Sequence, residues 1–247
     1  MTPLPGGLRR PALVSSTMLL LAIDTCGPSG SVALGRFCGS SLEILGQIEL
    51  KGRTYSATLV SAVGELLQAA GIEVRELGGV VVVNGPGSFT GVRVGVSAVK
   101  GLAQGAGIPV LEISRLEVLA SKAGIASAAL DAHRGEVFLR VERTGTGPQE
   151  MLAGANELAA LAEKPERMAV CDDAAAEVIA AAWPAAQIVR TSPPLASDAL
   201  VLAGPRLLAG ERVDLALLDG HYLRRSDAEI FGRDVIAQQA AAEAKGV

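Results

Sequence analysis

The run Gly85 to Gly95, GPGSFTGVRVG, is the stretch whose residue types and spacing carry the clearest chemistry. It follows four consecutive valines, Val80 to Val83, and precedes a segment with helical periodicity. Glycines at such a junction let the backbone turn tightly and come close to a ligand. Ser88 or Thr90 can cap the first free N–H groups of the helix. Those groups and the helix dipole favour an anion, so Gly85, Gly87, Ser88 and Thr90 form a candidate phosphate or carboxylate loop. The same residues also read as a capped strand-to-helix turn that needs no ligand. The two specific phosphate motifs are absent. No Gly-Lys-Ser/Thr follows Gly87 at P-loop spacing, and Thr90 stands where a dinucleotide fingerprint needs its third glycine.

Asp24 and Asp131 are the second chemical feature. Each ends an apolar run and is followed by a glycine-containing turn. Asp in that position either coordinates a metal-bound phosphate across a cleft or hydrogen-bonds its own downstream backbone in a turn. In the stretch after Asp131, only His133 has the pKa range for acid–base work at neutral pH. No Gly-x-Ser-x-Gly elbow and no His-Glu-x-x-His occurs, so hydrolase and zinc-peptidase chemistry lack their usual groups. The two histidines, His133 and His221, lie far apart in the chain. The three cysteines include no C-x-x-C pair, so no metal site and no disulfide framework is expected.

The elements that must position these residues follow from periodicity. Leu19 to Ile23 reads as a buried strand, and Ser31 to Leu34 runs back from its turn. A third strand is expected near Leu42 to Leu50, then a helix over 54–70 stopped by Gly71. The valine run is a central buried strand. A helix over 90–106, a strand over 108–113 and a short helix after Ser114 complete one α/β unit. The opening pattern then returns: strand to Leu130, Asp131, turn, strand from Val137 to Val141. The two aspartates stand 107 residues apart. Two hairpin-led units indicate a duplicated two-domain α/β fold, divided as 18–120 and 121–238. Residues 1–17 are expected to be a disordered extension, with no signal peptide, and 239–247 a frayed tail.

The helix over 90–106 carries three stripes. Arg93, Ser97, Lys100 and Gln104 are polar. Val92, Val96, Val99 and Ala103 are apolar and suit the parent sheet. Gly91, Gly95, Ala98, Leu102 and Gly105 are mostly small. Glycine within a helix costs about 1 kcal/mol relative to Ala. The compensation expected is close approach of a second helix. On the preceding helix Leu59, Val63 and Leu66 share an apolar face, widened by Val60 and Leu67. The expected partner interface is therefore Leu59, Val63, Leu66, Gly91, Gly95, Ala98 and Leu102, and the same surface would close a homodimer when the chain is alone.

Composition bounds the function. Of 247 residues, 49% are hydrophobic and 19% charged, which supports a sizeable core. Net charge is −4 and only 3% is aromatic, so the chain lacks the footprint of an independent nucleic-acid binder. No membrane-spanning apolar run occurs, and the odd cysteine count fits a reducing cytoplasm.

Ile23-Asp24-Thr25, GPGSFTGVRVG, Lys100-Gly101-Leu102-Ala103, Leu130-Asp131-Ala132-His133-Arg134-Gly135-Glu136-Val137-Phe138 and Tyr222-Leu223-Arg224 together resemble the TsaB (YeaZ) family. The resemblance covers most of 18–226. It implies the duplicated actin/Hsp70-like (ASKHA) ATPase fold, which binds nucleotide phosphates between Asp-ended hairpins. It also implies a non-catalytic subunit in the cytoplasm that pairs with the transferase TsaD, joined by the ATPase TsaE. TsaD forms N6-threonylcarbamoyladenosine beside the anticodon of tRNA. On this reading the chain has no catalytic residue, no metal and no required cofactor. It meets tRNA only through the complex, and adenine nucleotide binds weakly or only in the assembly, with Asp24 beside the loop. A stand-alone small-molecule kinase of the same fold is the alternative. Two positions depart from the family pattern: Tyr55 precedes Ser56 where relatives carry His, and His221 precedes Tyr222 where Pro is common.

Overall fold

Residues with branched apolar side chains and no room for water settle into the middle of a sheet, and Val80–Val83 does so. These valines form β4 (Gly79–Val83), buried throughout. The computed structural model describes residues 17–52, 54–143 and 145–224. Residues 1–16 of the extension expected over 1–17, and the tail expected over 239–247, lie outside the described residues. Thr17, assigned above to the extension, is the first residue of β1.

β4 pairs in parallel with β1 (Thr17–Asp24) and with β5 (Val110–Ile113). β1 turns back antiparallel into β2 (Ser29–Cys38), which pairs with β3 (Ser41–Lys51). The first sheet therefore runs β3-β2-β1-β4-β5. The second contains β6 (Ala128–Asp131), β7 (Val137–Arg143), β8 (Gly147–Ala153), β9 (Arg167–Val170) and β10 (Gln187–Arg190). Its order, β8-β7-β6-β9-β10, repeats the first strand for strand, antiparallel at the hairpin and parallel at the crossovers. Asp24 and Asp131 end equivalent strands. The chain has the duplicated α/β fold expected from its two hairpins, and it is the actin-like one that the resemblance implies. β8 and β10 escaped the periodicity reading because Pro148, Glu150, Gln187 and Arg190 interrupt their apolar pattern.

α1 (Tyr55–Ala70) and α2 (Phe89–Ala106) end as expected at left-handed glycines, Gly71 and Gly107. α3 (Arg115–Ala123) is capped by Ser114, α4 spans Ala155–Ala160, and α5 (Asp173–Ala182) is capped by Asp172. α6 (Ala196–Leu208) follows the second sheet in sequence and yet packs on the first. Strand parity explains how both layers fit. Gly30 on β2 faces Tyr55 of α1, whereas Ser31, Gly35 and Phe37 meet Ala196, Leu200 and Gly204 of α6. Alternate residues of a strand point to opposite faces, so α1 and α6 cover opposite sides of one sheet.

The interface assignment made from sequence is corrected here. Leu59, Val63 and Leu66 are buried in the chain's own first core, together with Leu67. The parent sheet covers the apolar arc of α1 except at Val60: Gly46 of β3 lies against Leu66. On α2, Gly91 and Gly95 are buried beside the valine stripe. A Cβ at Gly91 would lie 2.1 Å from the Thr25 carbonyl oxygen, and one at Gly95 would lie 2.4 Å from Thr25 Oγ1. These glycines let α2 descend onto β1. The close approach read from the small face is real, but its partner at Gly91 and Gly95 is the sheet. Ala98 and Leu102 are half-buried.

Candidate functional site

The carboxyl ends of β1, β4, β6 and β9 converge on a cleft of about 1200 Å³ between the two sheets. Its first wall is the turn after β1 and the loop leading into α2. Its second wall is the turn after β6, with Cys171 and Asp172. The segment His221–Arg224 runs along it.

The predicted loop residues do come together. Ser88 accepts at Oγ from Gly91 N at 3.3 Å, and its own N–H donates to the Cys26 carbonyl at 2.8 Å. Gly85 has a φ of 119° and its carbonyl accepts from Arg115 N at 2.6 Å. A Cβ at Gly87 would lie 2.2 Å from the Cys26 carbonyl oxygen. Gly87 therefore stacks the loop on the turn after β1, and Gly85 leaves room for the His221 carbonyl oxygen, 2.9 Å from where its Cβ would sit, so both are accounted for without a ligand. Gly87, Ser88 and Thr90 line the cleft, and Thr90 is exposed there.

Asp24 is the surprise. It is 1% exposed. Its Oδ1 accepts from Cys26 N at 2.8 Å, and its Oδ2 pairs with Arg115 Nε at 3.4 Å. The guanidinium is itself buried and lies against Gly27, where a Cβ would be 2.3 Å from Arg115 Nη2. Burial alone would push the Arg115 pKa down, but Asp24, with Cys26 and Cys171, more than offsets this and the net shift is up. Burial, reinforced by Asp24, also pushes the Cys26 thiol well above its ordinary value and the Tyr55 phenol up to about 12. Tyr55 donates from its hydroxyl to the Gly27 carbonyl at 2.8 Å. The first turn is thus roofed by Tyr55 and filled by Arg115. A metal-bound phosphate, which the fold resemblance implies between the two hairpins, does not fit there. Both oxygens of Asp24 are engaged and neither faces the cleft.

Asp131 is more open, and its carboxylate accepts from His133 N at 2.7 Å and pairs with His133 Nδ1 at 2.8 Å. Asp172 Oδ1 caps α5 at Ala175 N, and its Oδ2 accepts from Asp131 N. His133 and Arg134 adopt left-handed φ values of 63° and 59°, uncommon for residues with a Cβ. Among the described residues no group of three or more His, Cys, Asp or Glu is placed to hold a metal ion.

A third cluster joins the two sheets. Glu150 on β8 accepts from Ser114 Oγ at 2.6 Å and Arg140 Nη1 at 2.7 Å, and it meets His221 Nε2 at 2.9 Å. Burial would raise its pKa, but these three hydrogen bonds dominate and hold it below the usual glutamate value. His221 N in turn donates to the Asn84 carbonyl, and Arg224 reaches Glu136 and the Ala132 carbonyl. At the cleft mouth the Phe89 and Tyr222 rings meet at a 46° tilt with centroids 5.1 Å apart, and the Arg93 guanidinium lies 3.9 Å over the Phe89 ring. They are 38% and 36% exposed, while Phe37, Tyr55, Phe138 and Trp183 are buried.

Sequence reasoning missed Arg115, Glu150 and the Phe89–Tyr222 pair. Arg115 left one trace: it shares the α3 face of Val118 and Leu119, where a charge among apolar residues needs a buried partner. The two departures, Tyr55 and His221, turn out to anchor the first turn and the Glu150 cluster.

The outer face of α1 and α2 is different again. Val60 is 74% exposed, flanked by exposed Ala57, Ser61 and Gly64. On α2, Ser97, Gly101 and Gly105 are exposed, and nothing lies within 4 Å of where a Cβ would sit at Gly64, Gly101 or Gly105.

Comparison with known proteins supplies context. Residues 45–186 match the family described as TsaD, tRNA N6-adenosine threonylcarbamoyltransferase. A Haemophilus influenzae protein, tRNA threonylcarbamoyladenosine biosynthesis protein TsaB, is 37% identical over 127 residues, 49% of this chain and 52% of that one. The Bacillus subtilis protein of the same description is 37% identical over 125 residues, 49% of this chain and 53% of that one. The chain spans about half the length of the curated relatives it matches. The solved structure of YeaZ from Pseudomonas aeruginosa superposes with a TM-score of 0.65 at 28% identity, covering 83% of this chain and 100% of that one. A second Pseudomonas aeruginosa structure, described as similar to the peptidase YeaZ, gives 0.67 at 27% identity, covering 84% of this chain and 100% of that one.

Proposed function

Because the chain belongs to the TsaD family, on its TsaB/YeaZ branch, we propose that it is the non-catalytic partner of a TsaD-like threonylcarbamoyltransferase. In that role it is required for forming N6-threonylcarbamoyladenosine in tRNA, joins a TsaE-like ATPase in the assembly, and meets tRNA only through the complex. The observation that carries this reading is the outer face of α1 and α2. Helix-interior glycines with empty space around them lower helix stability by about 1 kcal/mol each and gain nothing inside the monomer. They suit a second pair of helices approaching closely, and exposed Val60 supplies an apolar centre. The interface proposed from the structure is therefore Ala57, Val60, Ser61, Gly64, Ser97, Ala98, Gly101 and Gly105. Leu102 lies at its edge, and Leu59, Val63 and Leu66 act behind it as packing. The same patch is self-complementary and supports a homodimer when the partner is absent.

The test is co-purification of the full chain with the TsaD-like protein of its own organism, with tRNA nucleosides quantified by mass spectrometry after depletion of the chain. Stoichiometric recovery and loss of threonylcarbamoyladenosine are expected. Undiminished modification after depletion would refute the role. Recovery that survives Gly101→Leu with Gly64→Leu would move the interface elsewhere.

A further inference from the structure

Residues 114 and 115 are neighbours in the chain and bind in opposite directions. Ser114 Oγ donates to Glu150 of the second sheet at 2.6 Å. Arg115 reaches Asp24 of the first sheet through its side chain and Gly85 through its N–H. Both residues stand where β5 of the first sheet passes into α3, the helix that packs on β6, β7 and β9 of the second. We infer that this junction is an internal clasp that sets the angle between the two sheets, with the Arg115 guanidinium standing in place of a cation held by the Asp24 carboxylate.

Three independent features support the clasp. Asp24 turns neither oxygen to the cleft, so no ligand there can use it to bridge the halves. The turn is shaped to the guanidinium: Gly27 leaves out the one atom that would strike Nη2. The far side is closed by a second fastening, since Glu150 also meets His221, whose N–H donates to the Asn84 carbonyl after β4, and His221 continues into the segment that crosses to the second turn through Arg224. A buried ion pair joined to satisfied hydrogen bonds is costly to break from one side, because the remaining charge is left in a dry site. Where a metal-bound nucleotide would couple two such halves by binding both turns, this chain couples them with its own side chains. The cleft angle is then a property of the chain alone, constant with and without nucleotide. A rigid frame of this kind presents the α1–α2 face at one orientation. That consequence goes beyond the proposed role and does not depend on it.

The experiment measures the angle directly. Spin labels are placed on Ala70→Cys and Glu177→Cys, exposed positions on α1 and α5, in a Cys38→Ser, Cys171→Ser background. The full chain is expected to give one narrow distance distribution, identical without nucleotide and with millimolar Mg-ATP. Arg115→Gln should broaden it by removing the charge. Gly27→Ala should broaden it with every charge retained, by displacing the guanidinium. Broadening in either variant, with no response of the intact chain to Mg-ATP, supports the clasp. A distribution in the intact chain that shifts with Mg-ATP and not with ATP in chelator would overturn it, and so would unchanged distributions in both variants. Should Arg115→Gln fail to fold, Gly27→Ala and the Mg-ATP comparison still decide.

Discussion

Alanine at Gly95 and alanine at Gly64 should move stability in opposite directions, although both are glycines inside long helices. At Gly95 the added Cβ would lie 2.4 Å from Thr25 Oγ1 and 3.9 Å from Ile23 Cγ2. The Thr25 hydroxyl is not free to retreat, since it donates to the Gly91 carbonyl at 2.7 Å inside the core. Relief requires breaking that hydrogen bond, a loss of about 1 kcal/mol, or lifting α2 from β1, an overpacking cost of about 1–3 kcal/mol. The helix gains about 1 kcal/mol from replacing Gly by Ala. Over most of that range strain exceeds the gain, so a net destabilisation of up to about 2 kcal/mol is expected. At Gly64 nothing lies within 4 Å, and the same exchange should stabilise by up to about 1 kcal/mol. For a chain of this size each kcal/mol moves the melting temperature by about 2–4 °C. Circular-dichroism melts of the two variants on the monomeric chain should therefore fall on opposite sides of the wild type. A Gly95→Ala melt at or above wild type would falsify the contact between α2 and β1 on which the corrected face assignment rests.

Other expectations are as specific. Gly101→Leu on the outer face of α2 should weaken association by about 1–3 kcal/mol while leaving the monomer melt near wild type, as read by light scattering and calorimetry. Gly204→Ala should be among the most damaging single changes, because its Cβ would meet the Phe37 ring at 1.9 Å. Loss of the α6 contact should appear as a lowered melt by circular dichroism. Because Glu150 is held below its ordinary pKa, its contribution is present above its unfolded value of about 4.3 and is lost as pH falls through the lower folded value. Glu150→Gln should therefore flatten the acid limb of the stability profile below about pH 4.3. Iodoacetamide should modify exposed Cys38 first and Cys26 last, since Cys26 is buried and Asp24 adds to the upward push on its thiol; peptide mass spectrometry reads the order.

The sequence by itself determined the elements whose information is local. Gly71 and Gly107 end helices because only glycine takes the left-handed cap cheaply, and four valines in a row have no place except a buried strand. Asp24 and Asp131 mark equivalent turns because the hairpin pattern is repeated, and that repetition was enough to read a duplicated fold. The motif GPGSFTGVRVG located one wall of the cleft. Side-chain partners were decided only in three dimensions. Periodicity distributes Gly91, Gly95, Ala98 and Leu102 to one stripe, but it cannot say whether a sheet or another helix covers that stripe. Here the sheet takes the first two and leaves the rest half-covered. Arg115 and Asp24 are 91 residues apart, and Ser114 and Glu150 are 36 apart. No local pattern records such pairs, because the first forms only when β1 and β5 are assembled into one sheet and the second only when the two sheets are brought together. The return of α6 to the first sheet was hidden for the same reason. An amphipathic helix states that it needs an apolar surface, and only the packed chain decides that the surface is the far side of β1 and β2.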